Sequence, residues 1–167
     1  RNPLKHESPS VSADKDTAFL LATGRWLEIR LPLHGGGHML VATLYGHPGA
    51  SNDDESYRLN EQLIAATVLR QKQMSNVPYF LCSDVNIDPT KSTVLTNAIA
   101  ANITYDVFSD VFLGSPPPTY RKGGIELGMT GKGCTRIDGI FVNPAGPHVG
   151  NNAKYLHAAS TAFAHVT

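Results

Sequence analysis

Asn76-Val-Pro-Tyr-Phe-Leu-Cys-Ser-Asp-Val-Asn-Ile-Asp-Pro89 is the stretch that decides the fold. Val77 to Cys82 is a short run of apolar and aromatic side chains, typical of a buried strand, and it leads directly into polar residues. Asp84 and Asn86 are two residues apart, so their side chains leave the same face if the extended conformation continues through Val85. The stretch predicts a strand that delivers a carboxylate and an amide to a sheet edge, although turns also prefer Asp, Asn and Pro.

The composition is that of one ordinary globular domain. Of the 167 residues, 41% are hydrophobic and 17% are charged, which is enough for a sizeable core. The 14 Lys and Arg balance the 14 Asp and Glu, so any contact with nucleic acid must come from a local patch. No apolar run of about 18 residues and no signal peptide is visible, and we expect an intracellular protein without a membrane contact. The cysteines, Cys82 and Cys134, have no metal-binding or disulfide spacing.

Patterns on either side of the central stretch predict an α/β fold. Residues 1–21 show no docking periodicity and predict a linker or disordered segment, followed by one domain over residues 22–167. Gly35-Gly36-Gly37 joins two strand-like runs and predicts a hairpin. A helical stripe between Ser51 and Met74, and a second helix from about Ser92 to Ala101, predict helices that cover the sheet.

Several charged residues outside the central stretch have simpler interpretations. Glu61 is interpreted as a solvated charge on the longer helix, and Asp106 and Asp110 as surface acids. Asp138 lies inside a strand-like run, where a carboxylate needs a partner or a metal because burying it unpaired is costly. A structural ion pair between Arg136 and Asp138 is therefore one alternative, and a functional site is the other.

Three pieces of the sequence, taken together, resemble the endonuclease/exonuclease/phosphatase superfamily of metal-dependent phosphodiesterases, which includes abasic-site endonucleases and the endonuclease domains of retroelements. Ser83-Asp84-Val85-Asn86 is similar to the family's Gly-Asp-Phe-Asn. Arg136-Ile-Asp-Gly-Ile-Phe-Val142 resembles its Arg-Ile-Asp-Tyr-Ile strand, and Val41-Ala-Thr-Leu-Tyr-Gly46 resembles its strand that ends in a tyrosine. Pro118-Thr-Tyr-Arg121 resembles its Pro-Thr-Tyr/Phe segment. The resemblance implies a partial four-layered α/β sandwich, in which two mostly antiparallel sheets pack face to face with outer helices.

The resemblance also implies roles for individual residues. It implies phosphodiester hydrolysis with Mg²⁺ or Mn²⁺, and we predict an endonuclease acting on DNA. Asp84 would orient or deprotonate the attacking water, and Asn86 would donate its amide to a phosphate oxygen. Tyr45 would offer its phenol to the phosphate. Asp138 would hold or orient the active-site histidine or tyrosine network, and we assign the histidine to His165, 165 − 138 = 27 positions later.

The sequence departs from the family at both ends. Ala164 stands where the family has an aspartate before its histidine, and His47, His148 and His157 are competing histidines. Nothing in residues 1–21 matches the family's first strands, so we expect the main Glu ligand of the metal to be missing, with Asp84 as a candidate ligand.

These departures leave the function open between alternatives. The chain resembles the C-terminal two-thirds of the domain, which leaves a catalytically silent binding or scaffold domain, or a phosphatase of the same superfamily, as alternatives. The partners implied are DNA and a fused or paired reverse transcriptase region, in the nucleus if the chain follows retroelement enzymes.

Overall fold

A five-stranded mixed sheet forms the centre of the computed structural model, which describes residues 14–114, 116–121 and 134–146. In chain order the strands are β1 (Trp26–Pro32), β2 (His38–Tyr45), β3 (Tyr79–Asp84), β4 (Tyr105–Asp106), β5 (Tyr120–Arg121), β6 (Cys134–Thr135) and β7 (Asp138–Val142). The sheet order is β1-β2-β3-β7-β4, with β2 and β3 parallel and the other neighbours antiparallel. Strands β5 and β6 pair separately as a two-stranded ribbon.

Four α-helices accompany these strands in the described part of the chain. They are α1 (Lys15–Thr23), α2 (Asp54–Gln73), α3 (Thr93–Ala100) and α4 (Val107–Val111). Each begins after a residue whose side chain accepts a backbone N–H from the first turn, as an N-cap should. These caps are Asp14, Asp53, Ser92 and Asp106. None of the described helices has the length and apolar character needed to cross a bilayer.

Helix α1 corrects part of the prediction for residues 1–21. Leu20 on this helix is fully buried and belongs to the main apolar core, so the segment from residue 15 onward is folded. The sequence did not reveal this because one buried leucine in a short helix gives no clear periodicity. Residues 1–13 lie outside the described residues.

The two faces of the sheet differ because strand side chains alternate. One face carries the main core, in which Leu40 and Leu44 of β2 and Leu81 of β3 pack with Leu63 and Ile64 of α2. The residues between them, which include Thr43, Tyr45, Cys82 and Asp84, point to the opposite face and are partly exposed or exposed. Helix α4 covers the β7 side of that opposite face through Phe108, which packs with Ile140 and Val142.

The α/β fold class is confirmed, and so are the glycine hairpin and both predicted helices. The strand predicted at Val77 to Cys82 begins two residues later, at Tyr79, and continues to Asp84. Within the described residues the structure contains one large sheet, so the second sheet of the predicted face-to-face sandwich stays a prediction. The predicted loop between Gly114 and Gly133 is described only at residues 114 and 116–121, where it includes β5.

The interpretation of Asp106 as a surface acid was wrong. Asp106 is buried and forms a two-pronged ion pair with Arg136, whose Nη1 donates to Oδ1 at 3.0 Å and whose Nη2 donates to Oδ2 at 2.5 Å. This pair also removes the alternative in which Arg136 is the structural partner of Asp138. The error arose because Asp106 looks like a strand-ending acid in sequence, whereas the fold brings it beside a residue 30 positions later.

The interpretation of Glu61 as a solvated charge was also wrong. Its carboxylate accepts hydrogen bonds from the Ser92 hydroxyl and from the N–H of Val94, both at the start of α3. A negative charge at this position satisfies donors that a helix leaves unpaired in its first turn. Glu61 therefore links α2 to α3, a contact that no local pattern could reveal.

Candidate active site

Tyr45, Asp84 and Asp138 lie side by side across three neighbouring strands. Tyr45, the last residue of β2, is paired in register with Asp84, the last residue of β3, and Asp84 is paired with Asp138, the first residue of β7. Neighbouring strands are about 4.8 Å apart, and register partners point to the same face. The structure therefore brings three of the five predicted catalytic residues into one polar row, at the end of the sheet face opposite the main core.

Arg25 extends this row on the side of Tyr45. The Tyr45 N–H donates to the Arg25 carbonyl at 2.8 Å, and the Arg25 guanidinium lies 5.4 Å from the centre of the Tyr45 ring. Its Nη1 also donates to the Gly46 carbonyl at 3.0 Å. This places a positive charge against the face of the phenol ring, a favourable cation–π geometry. Arg25 was not among the residues predicted from the sequence. The β1–β2 register pairs Trp26 with Leu44, and the next pair along this register is Arg25 and Tyr45.

Asp84 occupies an environment that disfavours its charged form. Burial is the largest effect and raises the pKa of Asp84; the negative charge of Asp138 on the next strand acts in the same direction. The N–H of Asn86, which donates to Asp84 Oδ1 at 3.0 Å, lowers this pKa but does not outweigh burial. A carboxylate with a raised pKa is a better proton acceptor than an ordinary surface aspartate.

Asn86 joins the ends of β2 and β3. It adopts a left-handed backbone conformation with φ of 53°, which Asn tolerates better than most residues. Its Nδ2 donates to the Gly46 carbonyl at 3.0 Å. Because an amide group carries two N–H bonds, the second proton is left for another acceptor. The predicted donation to a phosphate oxygen thus stays a prediction that the geometry permits.

The backbone before Asp138 is anchored by Thr119. The Thr119 hydroxyl accepts the N–H of Ile137 at 3.0 Å and the N–H of Asp138 at 3.1 Å. On the other side, the Val85 N–H donates to the Ile137 carbonyl at 2.8 Å, which continues the β3–β7 ladder beyond Asp84. The segment that resembles the family's Pro-Thr-Tyr motif therefore fixes the position of Asp138 through neutral hydrogen bonds.

Of the four candidate histidines, His47 lies in the part of the chain that the structure describes. His165, with Ala164, lies outside the described residues, as do His148 and His157, so the predicted histidine network stays a prediction. His47 follows the row directly after Gly46 and is partly buried. Burial, and then the positive charge of Arg25, lower the pKa of His47, which keeps its imidazole neutral near pH 7.

The oxygen donors of the row fit part of a site for a hard divalent cation. Carboxylates such as Asp84 and Asp138 are ligands that Mg²⁺ prefers, and Mg²⁺ usually keeps several waters. Within residues 14–114, 116–121 and 134–146 no cluster of three or more His, Cys, Asp or Glu side chains could hold a metal ion. The described residues therefore offer two carboxylates here, and a third His, Cys, Asp or Glu ligand would come from outside them.

Comparison with solved structures supports the predicted α/β fold class, whereas no protein-family model and no curated protein matches the chain. The human Nocturnin catalytic domain with bound sulfate has a TM-score of 0.51 and 15% identity, covering 71% of this chain and 41% of its own. An endonuclease/exonuclease/phosphatase protein from Beutenbergia cavernae has a TM-score of 0.52 and 20% identity, covering 72% and 32%. The 3′ phosphatase NExo from Neisseria, bound to a product DNA hairpin, has a TM-score of 0.50 and 19% identity, covering 85% and 58%.

These comparisons confirm the resemblance at the level of the fold. The described part of the chain is similar in fold to part of each of these structures, and the chain spans less than two-thirds of the length of each of the three.

Proposed function

We propose that this chain contributes the β2–β3–β7 part of a phosphoester-hydrolysing site of the endonuclease/exonuclease/phosphatase type, and that its substrate is a DNA phosphodiester. The observation that carries the proposal is the register of Tyr45, Asp84 and Asp138, which aligns a phenol and two carboxylates on one face. An arrangement of this kind places proton acceptors and a hydrogen-bond donor on neighbouring strands, and hydrolysis of a phosphoester uses groups of both kinds.

The division of labour follows from the chemistry of each group. Asp84, with its raised pKa, orients the attacking water and accepts its proton. The Tyr45 hydroxyl and the second amide proton of Asn86 donate to non-bridging phosphate oxygens, where negative charge grows in the transition state. Arg25, against the Tyr45 ring, adds positive charge on the same side.

A divalent cation, when bound, would neutralise charge on the phosphate and on the leaving oxygen. Asp84 and Asp138 are the described residues that would contribute ligands to it, because they lie opposite one another on β3 and β7. Any further His, Cys, Asp or Glu ligand in this assignment would come from outside the described residues.

Two other functions are open to this site. A DNA 3′-phosphatase is supported by the fold likeness to the Neisseria 3′ phosphatase that was solved with product DNA. A catalytically silent binding domain is supported by the lack of a three-residue metal cluster among the described residues. Association with a reverse transcriptase region and a nuclear location belong to the endonuclease proposal and fall with it.

The test compares substrates and one pair of variants. The chain, and any longer version that the same gene encodes, is incubated with supercoiled plasmid and with a 3′-phosphorylated DNA hairpin, in Mg²⁺ and in EDTA. Asp84→Ala removes the proposed base, and Asp110→Ala removes an exposed acid on α4 as the matched control.

Each outcome separates the alternatives. Plasmid nicking in Mg²⁺ that is lost in Asp84→Ala and kept in Asp110→Ala supports the endonuclease. Phosphate release from the hairpin without nicking supports the phosphatase. Absence of both reactions in every version supports the silent binding domain and overturns the proposed enzyme.

A further inference from the structure

Asn60 of α2 is a buried amide that contacts both strand-end segments of the candidate active site. Its side chain is fully buried, its Oδ1 accepts the His47 N–H at 2.9 Å, and its Nδ2 donates to the Val85 carbonyl at 2.8 Å. His47 follows β2, and Val85 follows β3. One side chain from the covering helix therefore satisfies one backbone group on each side of the gap between the two segments.

The two segments and Asn60 approach so closely at this point that only a glycine fits at position 46. A Cβ atom added to Gly46 would lie 2.6 Å from the Val85 carbonyl oxygen and 2.7 Å from Asn60 Oδ1. Both distances are below any real contact of such atoms, so glycine is the residue that allows this approach. The Gly46 N–H also donates to the Asp84 carbonyl at 2.7 Å, so one backbone hydrogen bond joins the two segments beside the contacts of Asn60.

We propose that Asn60 is a positioning residue for the candidate active site, and that it sets the distance between Tyr45 on one segment and the Asp84–Asn86 turn on the other. Val85 lies between Asp84 and Asn86, and His47 is two residues after Tyr45, so the groups that Asn60 holds are within two residues of the site residues. The inference rests on the proposed function for its consequence in catalysis, whereas its structural half stands independently of any activity.

The competing explanation is that Asn60 only stabilises the fold, as any buried amide does. Gln71 offers a matched control, because it lies on the same helix, is also fully buried, and donates its Nε2 to the Phe141 carbonyl at 3.2 Å. Eleven residues along an α-helix correspond to about 16 Å, so Gln71 is far from the strand ends. Asn60→Ala and Gln71→Ala each remove one buried amide from α2, but only the first removes contacts with the site.

The first measurement is hydrogen exchange of backbone amides by NMR on the folded chain. Asn60→Ala is expected to speed exchange of the His47 amide at least tenfold relative to Gln71→Ala, and to shift the Tyr45 and Asn86 resonances. Asn60→Asp keeps an acceptor for the His47 N–H while losing the donor to Val85, so it is expected to keep His47 protected. If Asn60→Ala does not fold, the exchange of the His47 amide in Asn60→Asp still tests the contact between residue 60 and His47.

The second measurement is steady-state cleavage of the substrate that the wild-type chain hydrolyses. Asn60→Ala is expected to lower kcat by about 10- to 100-fold with KM changed less than about twofold, because misplacement by about 1 Å can cost a factor of this size. Gln71→Ala is expected to leave both constants within about twofold at a temperature where both variants are folded.

The two measurements fail separately. If the wild type cleaves no substrate but His47 exchange changes as expected, the proposed function is wrong and the positioning of the two segments by Asn60 is supported. If His47 exchange is equal in Asn60→Ala and Gln71→Ala, or if kcat falls equally in both, Asn60 has only a structural role and the inference is overturned.

Discussion

The buried ion pair between Asp106 and Arg136 should respond asymmetrically to removal of its two partners. Asp106 accepts three further hydrogen bonds, from the N–H groups of Phe108 and Ser109 and from the Ser109 hydroxyl at 2.8 Å. Arg136 has side-chain exposure of only 5% and relies on Asp106 as its charged partner. Loss of Asp106 therefore leaves the Arg136 guanidinium buried without a charged partner, whereas loss of Arg136 leaves a carboxylate that is still hydrogen-bonded.

The expected sizes follow from this difference. Removing one partner of a buried pair costs about 3–5 kcal/mol. Asp106→Ala also removes the N-cap of α4, which is worth about 1 kcal/mol, so its total loss should be about 4–6 kcal/mol. Arg136→Met keeps most of the side-chain volume and should cost about 3 kcal/mol or less. A domain of this kind has a free energy of unfolding of about 5–15 kcal/mol, so the second variant should still fold.

Urea unfolding followed by far-UV circular dichroism measures both losses, with Asp110→Ala as the exposed-acid control on the same helix. A third variant, Asp106→Leu with Arg136→Met, should lose less than the sum of the two single losses, because an apolar pair can replace a buried ion pair without leaving a charge. Equal losses for the two single variants, or a larger loss for Arg136→Met, would show that the capping hydrogen bonds do not stabilise the carboxylate and would refute the reasoning.

Three further changes test other parts of the structure. Asp84→Asn should lower any hydrolytic rate by about 10²-fold or more. In EDTA at pH 7, Asp84→Asn should also raise the free energy of unfolding. Burial and the Asp138 charge raise the pKa of Asp84, so the stabilising contribution of Asp84 is present at low pH and is lost as pH rises through the folded pKa. A variant less stable than wild type would contradict this. Gly139→Ala should cost about 1–3 kcal/mol in urea unfolding, since its Cβ would lie 2.5 Å from a ring carbon of the fully buried Phe141; an unchanged midpoint would show that the ring can move. Glu61→Ala should cost about 1 kcal/mol through the lost cap of α3, with an unaltered thermal midpoint as the contrary result.

Much of the fold could be predicted because local patterns determined it. The central strand, the glycine hairpin and the helices at Asp54–Gln73 and Thr93–Ala100 each have a periodicity or a turn signal in their own residues. The alignment of Asp84 with Asp138 could not be read from periodicity, because β3 and β7 are far apart in the chain and their register depends on the whole sheet. It was reached only through the resemblance of short motifs to a known family.

Tertiary contacts of polar side chains were the least predictable features. Asp106, Glu61 and Asn60 all look like ordinary surface or turn residues in sequence, yet each has a hydrogen-bond partner that is, respectively, 30, 31 or 13 positions away. No local pattern encodes such distances. Arg25 differs, because a hairpin fixes which residues face each other, and its position beside Tyr45 could have been deduced from the register alone.

The distribution of ion pairs supports the distinction between structural and candidate functional acids. The Glu28 side chain is only 2% exposed, and its Oε1 lies 2.7 Å from Nη2 of Arg70. Asp106 forms its ion pair with Arg136. Within the described residues neither Asp84 nor Asp138 forms a salt bridge, although Arg136 is only two residues from Asp138. Two carboxylates on adjacent strands repel each other, so this arrangement lowers stability unless something positive lies between them. In the proposed function, a divalent cation bound by both carboxylates would supply that positive charge.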